Sequence, residues 1–185
     1  MPADAAPKPV KFSNPPVIEV ACGVSFSLGK PLSAAHIGSF WEAVRSEFPS
    51  TQDVPPLPVV VEGATPDQNA NFQFVTMPPL RRTWLADPAG RHLIQLQEDR
   101  FVFNWKKASD SDEYPSFNKV WAEFQRLFAM FKEFLEGAGL GPLTATQLEL
   151  MYSNQIGPWN GLDPESPWRL LVDHKQLQNR FLPNV

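Results

Sequence analysis

The sequence predicts an α+β fold: a mostly antiparallel sheet with two amphipathic helices packed on one face. Three observations carry that expectation. Residues 81–105 read as three consecutive short strands joined by turns, with no crossover helix between them. Residues 17–28 alternate cleanly between apolar and other side chains, as a strand does. Two further segments each carry one apolar stripe at helical spacing, and a single stripe needs a single surface to cover.

Taken in order, residues 1–15 are Pro- and Ala-rich and polar, the composition of a flexible N-terminal arm. Pro15-Pro16 forces extended geometry. The first strand then follows, with Ile18, Val20, Cys22, Val24, Phe26 and Leu28 on one face and Gly23 on the other, where it marks a bulge or close packing. Ser33 is placed to cap a helix whose stripe is Ile37, Phe40, Trp41, Val44 and Phe48, ended by Pro49. Residues 50–71 hold three prolines between 55 and 58 and turn formers at 63–70, so only Val59-Val60-Val61 reads as strand there. A short strand is expected at 72–77 and another at 81–87, the latter closed by the turn residues Asp87, Pro88 and Gly90.

Residues 92–105, HLIQLQEDRFVFNW, are the most informative stretch. They read as two strands folded back through Glu98-Asp99, with Gln97 opposite Arg100. Because side chains alternate at period two, His92, Ile94, Leu96, Phe101, Phe103 and Trp105 then share one face. Leu93, Gln95, Gln97, Arg100, Val102 and Asn104 share the other. The first is a core face. The second carries amides and a guanidinium over an apolar floor, with Arg82 and Trp84 on the neighbouring strand close enough to join. An antiparallel sheet often simply wets such a face. The alternative is a recognition surface of Arg82, Trp84, Gln95, Gln97, Arg100 and Asn104, whose planar donors suit carboxylate or phosphate.

A polar loop at 108–115 leads to the second helix, about 115–136. Its stripe is Phe117, Val120, Trp121, Phe124, Leu127, Phe128, Phe131 and Leu135, with Gly137 or Gly139 as C-terminal cap. A last strand, 144–156, alternates through Leu148, Leu150 and Tyr152. Residues 16–156 therefore make one α+β domain, and 157–185 a tail holding Trp159 and Trp168. At 185 residues the chain can bury one good core, roughly 70% of its unfolded surface.

Composition excludes several functions. A net charge of −4 and only two basic pairs, Arg81-Arg82 and Lys106-Lys107, argue against nucleic acid as a partner. The single cysteine, Cys22, reads as a small buried hydrophobe, and no internal disulfide is possible. His36, His92 and His174 fit no metal-ligand spacing, so no metal and no cofactor is expected. No GxSxG elbow, phosphate loop or GxGxxG occurs, and no catalytic residue stands out. The carboxylates Glu98-Asp99 sit at a tight turn, and Asp110, Asp112 and Glu113 in a solvated loop. The N-terminus lacks a secretory h-region, and no run reaches the ~18 apolar residues of a membrane span. A cytoplasmic location follows as the expectation.

Five blocks carry a likeness to known sequences: NPPVIEVACGVSF (14–26), HIGSFWEAVRSEFP (36–49), RRTWL (81–85), LIQLQEDRFVFNW (93–105) and QLELMYSNQI (147–156). In content and order they resemble a sporadically distributed bacterial protein family of unknown function. The resemblance implies a small bacterial cytoplasmic protein, carried on mobile or accessory loci, and it brings no catalytic residues. Members of that family are longer, which would make 157–185 the start of a truncated second half. The expected function is a non-enzymatic binding or interaction module, self-associating as a homodimer or engaging a protein partner. The alternative is an enzyme or sensor for a small anionic ligand held by Arg82, Arg100 and the neighbouring amides.

Overall fold

Period-two alternation of side-chain character along residues 17–27 and 92–106, strands buried on both faces at their centres, fixes the middle of the sheet, and the rest is arranged around it. A computed structural model of the protein describes residues 15–58 and 80–155. The elements are β1 (Val17–Ser27), α1 (Ala34–Val44), β2 (Ser50–Val54), β3 (Arg82–Ala86), β4 (His92–Gln97), β5 (Arg100–Lys106), α2 (Phe117–Gly137) and β6 (Thr144–Asn154). The chain divides into two units, Ile18–Ser153 and a second made of Met1–Val17 with Asn154–Val185. Both helices, and all strand residues but Val17 and Asn154, belong to the first. The expected strands at 59–61 and 72–77 lie outside the described residues. So do Trp159, Trp168, nearly all of the N-terminal arm, and the tail.

Among the described residues the sheet has six strands, in the order β2-β3-β4-β5-β1-β6. β2 to β5 form an antiparallel meander, and β1 pairs antiparallel with β5, Val20 facing Trp105 and Val24 facing Phe101. β6 lies outside β1. Gly29 meets Leu140 at one end and Gly23 meets Glu149 further along, so the two strands run in opposite directions. This is the predicted α+β architecture.

The helices cover the face bearing Val20, Cys22, Val24, Phe26, Ile94, Leu96, Phe101 and Phe103, all of them buried. Phe131 of α2 is the hub, its ring 5.7 Å from Phe26, 5.2 Å from Phe40 of α1 and 5.2 Å from Phe101. Cys22 is 1% exposed, and burial pushes its thiol pKa up, away from the reactive thiolate. Phe117 and Trp121 flank the stripe of α2 instead of joining it. Trp121 is 38% exposed and stacked between Phe117 and Phe124.

Helix ends follow local chemistry. Ser33 precedes α1, and its backbone N–H and hydroxyl both reach His36 Nδ1, at 3.1 and 2.8 Å. That spends the histidine on the cap. At the other end of α2, Gly139 N–H donates to Glu136 O and Leu140 N–H to Leu135 O, a Schellman closure with Gly139 at φ +66°. Of the two glycines expected to cap, Gly139 does so.

β2 was not legible in the sequence. Its residues, Ser-Thr-Gln-Asp-Val, are polar and almost wholly exposed, so no periodicity marks it. Its partner β3 makes it a strand, and Thr83 Oγ1 donates to Asp53 Oδ1 at 3.0 Å across the pair. β6 departs from expectation differently. Its alternation is real, but Leu148 is 74%, Leu150 55% and Tyr152 41% exposed, because the helices do not reach over it.

The loop before α2 is held by Asp112. Its Oδ1 accepts from Arg91 Nε at 2.9 Å, and its Oδ2 from the backbone N–H of Ala108 and of Ser109. These bonds, Arg91 foremost, hold the carboxyl down at about 2 against an ordinary 3.8. A depressed acid stabilises the folded state above its unfolded value, and that contribution disappears as pH falls through the folded value. An NMR titration of the Asp112 carboxyl should show a midpoint near 2; one near 3.8 would mean the loop is not tied this way.

Two glycines give a paired test of backbone conformation in and after the helices. A Cβ would meet nothing within 4 Å at either Gly38, inside α1, or Gly139. Only backbone conformation then separates them. Gly38→Ala should raise stability to urea by about 0.5–1 kcal/mol. Gly139→Ala, forced to keep a left-handed φ, should lose about 1–2 kcal/mol.

Candidate functional site

Opposite the helices, the sheet carries polar groups that water does not simply bathe. The register of the central hairpin is the one the alternation predicted, Gln97 facing Arg100, Gln95 facing Val102 and Leu93 facing Asn104. Gln97 and Arg100 are 6% exposed and Asn104 2%. A buried amide needs its hydrogen bonds made, and a buried guanidinium still more so.

Most of these bonds run as one chain across four strands. On β3, Arg82 Nη1 and Trp84 Nε1 both donate to Gln95 Oε1 on β4, at 2.9 and 3.0 Å. Gln95 Nε2 donates to Asn104 Oδ1 on β5 at 2.7 Å, and Asn104 Nδ2 to Glu19 Oε1 on β1 at 2.6 Å. Arg and Trp can only donate, and an ionised carboxylate can only accept. The two ends therefore dictate which way both amides between them face. The Arg82 guanidinium also lies over the Trp84 ring, 5.6 Å from its centroid.

Gln97 is held differently. Its Oε1 accepts from Leu57 N–H at 2.8 Å and its Nε2 donates to Leu57 O at 3.1 Å, with a further bond to Asp99 Oδ1 at 3.0 Å. Leu57 is the one residue of Pro55-Pro56-Leu57-Pro58 with an N–H to give. Gln97 thus takes up the amide of an otherwise donor-free run and draws that segment against the sheet.

Arg100 is less well served. Its nearest carboxylate among the described residues is Glu149 of β6, with Nη2 to Oε1 at 3.6 Å, beyond a good hydrogen bond. Burial, and then the Arg100 charge, press the Arg82 pKa below its usual value. Beyond Glu19, the β1 residues of this face are small: Ala21, Gly23 and Ser25. Gly23 is needed for contact, since a Cβ there would stand 3.2 Å from Val102 Cγ2.

All six residues singled out in the sequence, Arg82, Trp84, Gln95, Gln97, Arg100 and Asn104, thus share this face. Arg82, Trp84, Gln95 and Asn104 are linked to one another, Gln97 bonds to Leu57 and Asp99, and Arg100 approaches Glu149 without a hydrogen bond. Glu19, Ser25, Leu57 and Glu149 belong to the same surface and were not foreseen. The small-and-polar series Glu19, Ala21, Gly23, Ser25, alternating with the core residues of β1, was the signal available for two of them. Nothing local marks Leu57 or Glu149. Among the described residues no cluster of three or more His, Cys, Asp or Glu could hold a metal ion.

Asn104→Ala should cost about 1–3 kcal/mol in urea unfolding, because it strands the Gln95 amide in a buried site. It should also shift the Trp84 indole proton in NMR spectra, since Gln95 is then free to turn. An unmoved indole signal would show that the chain does not orient Gln95. No family model, no curated protein and no solved structure matches this chain.

Proposed function

We propose that this chain is a non-enzymatic binding module of the bacterial cytoplasm that associates with a second copy of itself along β6. The observation supporting this is the strand that is outermost among the described residues: eleven residues long, with Leu148, Leu150, Met151 and Tyr152 all exposed. Leu148, Leu150 and Tyr152 fall on the helix side, where Tyr152 lies 6.5 Å from Phe117, next to the exposed Trp121. An edge strand offers unpaired backbone donors and acceptors, and soluble proteins ordinarily blunt it with charge or proline. β6 carries neither on its apolar side. Antiparallel pairing of two such strands about a two-fold axis would satisfy both backbones and cover both apolar rows. Among the described residues no helix is long and apolar enough to cross a membrane, so the apolar row is not part of a helical span.

A second reading, a receptor for a small anionic ligand on the polar face, is favoured by Arg100. A buried guanidinium with no hydrogen bond to its nearest carboxylate is poised for another acceptor. Size-exclusion chromatography with light scattering tests the first reading. The full chain should run as a dimer, and Leu150→Lys should convert it to monomer without lowering its melting temperature as a monomer. A wild-type chain that stays monomeric at high concentration would overturn it.

A further inference from the structure

Three buried side-chain polar atoms lack a hydrogen-bond partner among the described residues: Ser25 Oγ, Arg82 Nε and Arg100 Nε. They do not scatter over the molecule. Ser25 faces Arg100, and Arg100 faces Gln97. Arg82 lies one position beyond the Thr83–Leu96 pair, and so beside Gln97. The residues that carry these atoms therefore occupy one row of the polar face, running across β3, β4, β5 and β1, with the Arg82 guanidinium leaning toward Gln95. With strands about 4.8 Å apart, the row is about 15 Å long and well within reach of two arginine side chains.

The other residue in that row cannot relieve them. Gln97 is committed to both backbone groups of Leu57 and to Asp99. Glu149 stands 3.6 Å from Arg100 Nη2 and makes no hydrogen bond to it. A buried donor left without an acceptor costs more than an ordinary hydrogen bond returns, so three in a single row call for a common cause. An oxyanion is acceptor only and accepts several donors at once. The fork of a guanidinium matches it in geometry as well as charge.

Resting on the ligand-binding reading of this face, we propose that Ser25, Arg82 and Arg100 form an oxyanion site. A carboxylate or phosphate group of a small ligand sits between the two guanidiniums, and the Ser25 hydroxyl donates to it. Glu149 acts as the internal counter-charge that this group displaces from Arg100. Trp84, Val102 and the small β1 residues supply the surface for the rest of the ligand.

The test uses the full chain labelled with ¹⁵N. Inorganic phosphate and, separately, acetate are added at constant ionic strength while arginine Nε–H and backbone amide signals are followed. The Arg82 and Arg100 Nε–H signals should move along a saturating curve, with phosphate, acetate or both; the anion that saturates at lower concentration identifies the ligand group. Arg82→Gln should weaken binding about tenfold, the worth of one charge-assisted hydrogen bond, and Ser25→Ala by a few-fold. Glu149→Gln should tighten it, an effect that a purely structural ion pair would not produce. Should Arg82→Gln fail to fold, Ser25→Ala and Glu149→Gln carry the same test. Saturation seen only at Trp84 and Gln95, with both Nε–H signals still, would overturn this site but leave a ligand on the face. Equal movement at the exposed Arg126 would mark general ion pairing and overturn it. No saturating response anywhere on the face would overturn both the site and the ligand-binding reading.

Discussion

The hydrogen-bonded chain from Arg82 and Trp84 through Gln95 and Asn104 to Glu19 is the constraint on which the polar half of this molecule depends. It has obligate donors at one end and an obligate acceptor at the other, so it admits a single orientation of its two amides. A chain of this kind rewards completeness: in a low-dielectric setting each satisfied bond strengthens its neighbour, and each missing one is costly. It also ties β3, β4, β5 and β1 side by side at one register, a slip of which would turn every polar group toward the aromatic core. The apolar face supplies most of the driving force for folding. The polar face makes the register unique.

The two faces solve the burial problem in opposite ways. Beneath the helices, Phe131 gathers rings from β1, α1 and β5 into one cluster, where size and shape decide the fit. On the far side, Gln97 and Asn104 are as buried as many core residues yet satisfy donors and acceptors instead of filling volume. The row of Ser25, Arg82 and Arg100 is where that solution is incomplete, and incompleteness in an otherwise satisfied surface is what directs attention to a ligand. Surface ion pairs carry little of this. The fork of Arg126 onto Glu47 and Glu123 joins α2 to the turn after α1, but in the open, where such pairs contribute little.

Much of this was legible in the sequence, for a physical reason. The central hairpin alternates so strictly that only one register buries Ile94, Leu96, Phe101 and Phe103 together, and both faces follow from it. Helix stripes were equally plain, because α1 and α2 each meet the sheet along one line. Illegible were features set by partners distant in sequence. β2 is a strand because β3 is beside it, not because of its own residues. The pairing of Asn104 with Glu19 joins positions 85 apart, and that of Gln97 with Leu57 positions 40 apart. The exposure of Leu148 and Leu150 could not be read from their alternation. Period two reports that a strand has two sides, but not whether anything lies over them.

The strand order has a consequence for synthesis. β1 emerges from the ribosome before the other five described strands and carries a strongly apolar alternation, yet its neighbours in the sheet are β5 and β6. At translation rates of 5–20 residues per second, it waits roughly 4–17 s for its first partner. The β3–β5 meander, all local, can close meanwhile and present a template. β1 is then received by insertion alongside β5, and a newborn chain must keep that segment from meeting other newborn chains until the template exists.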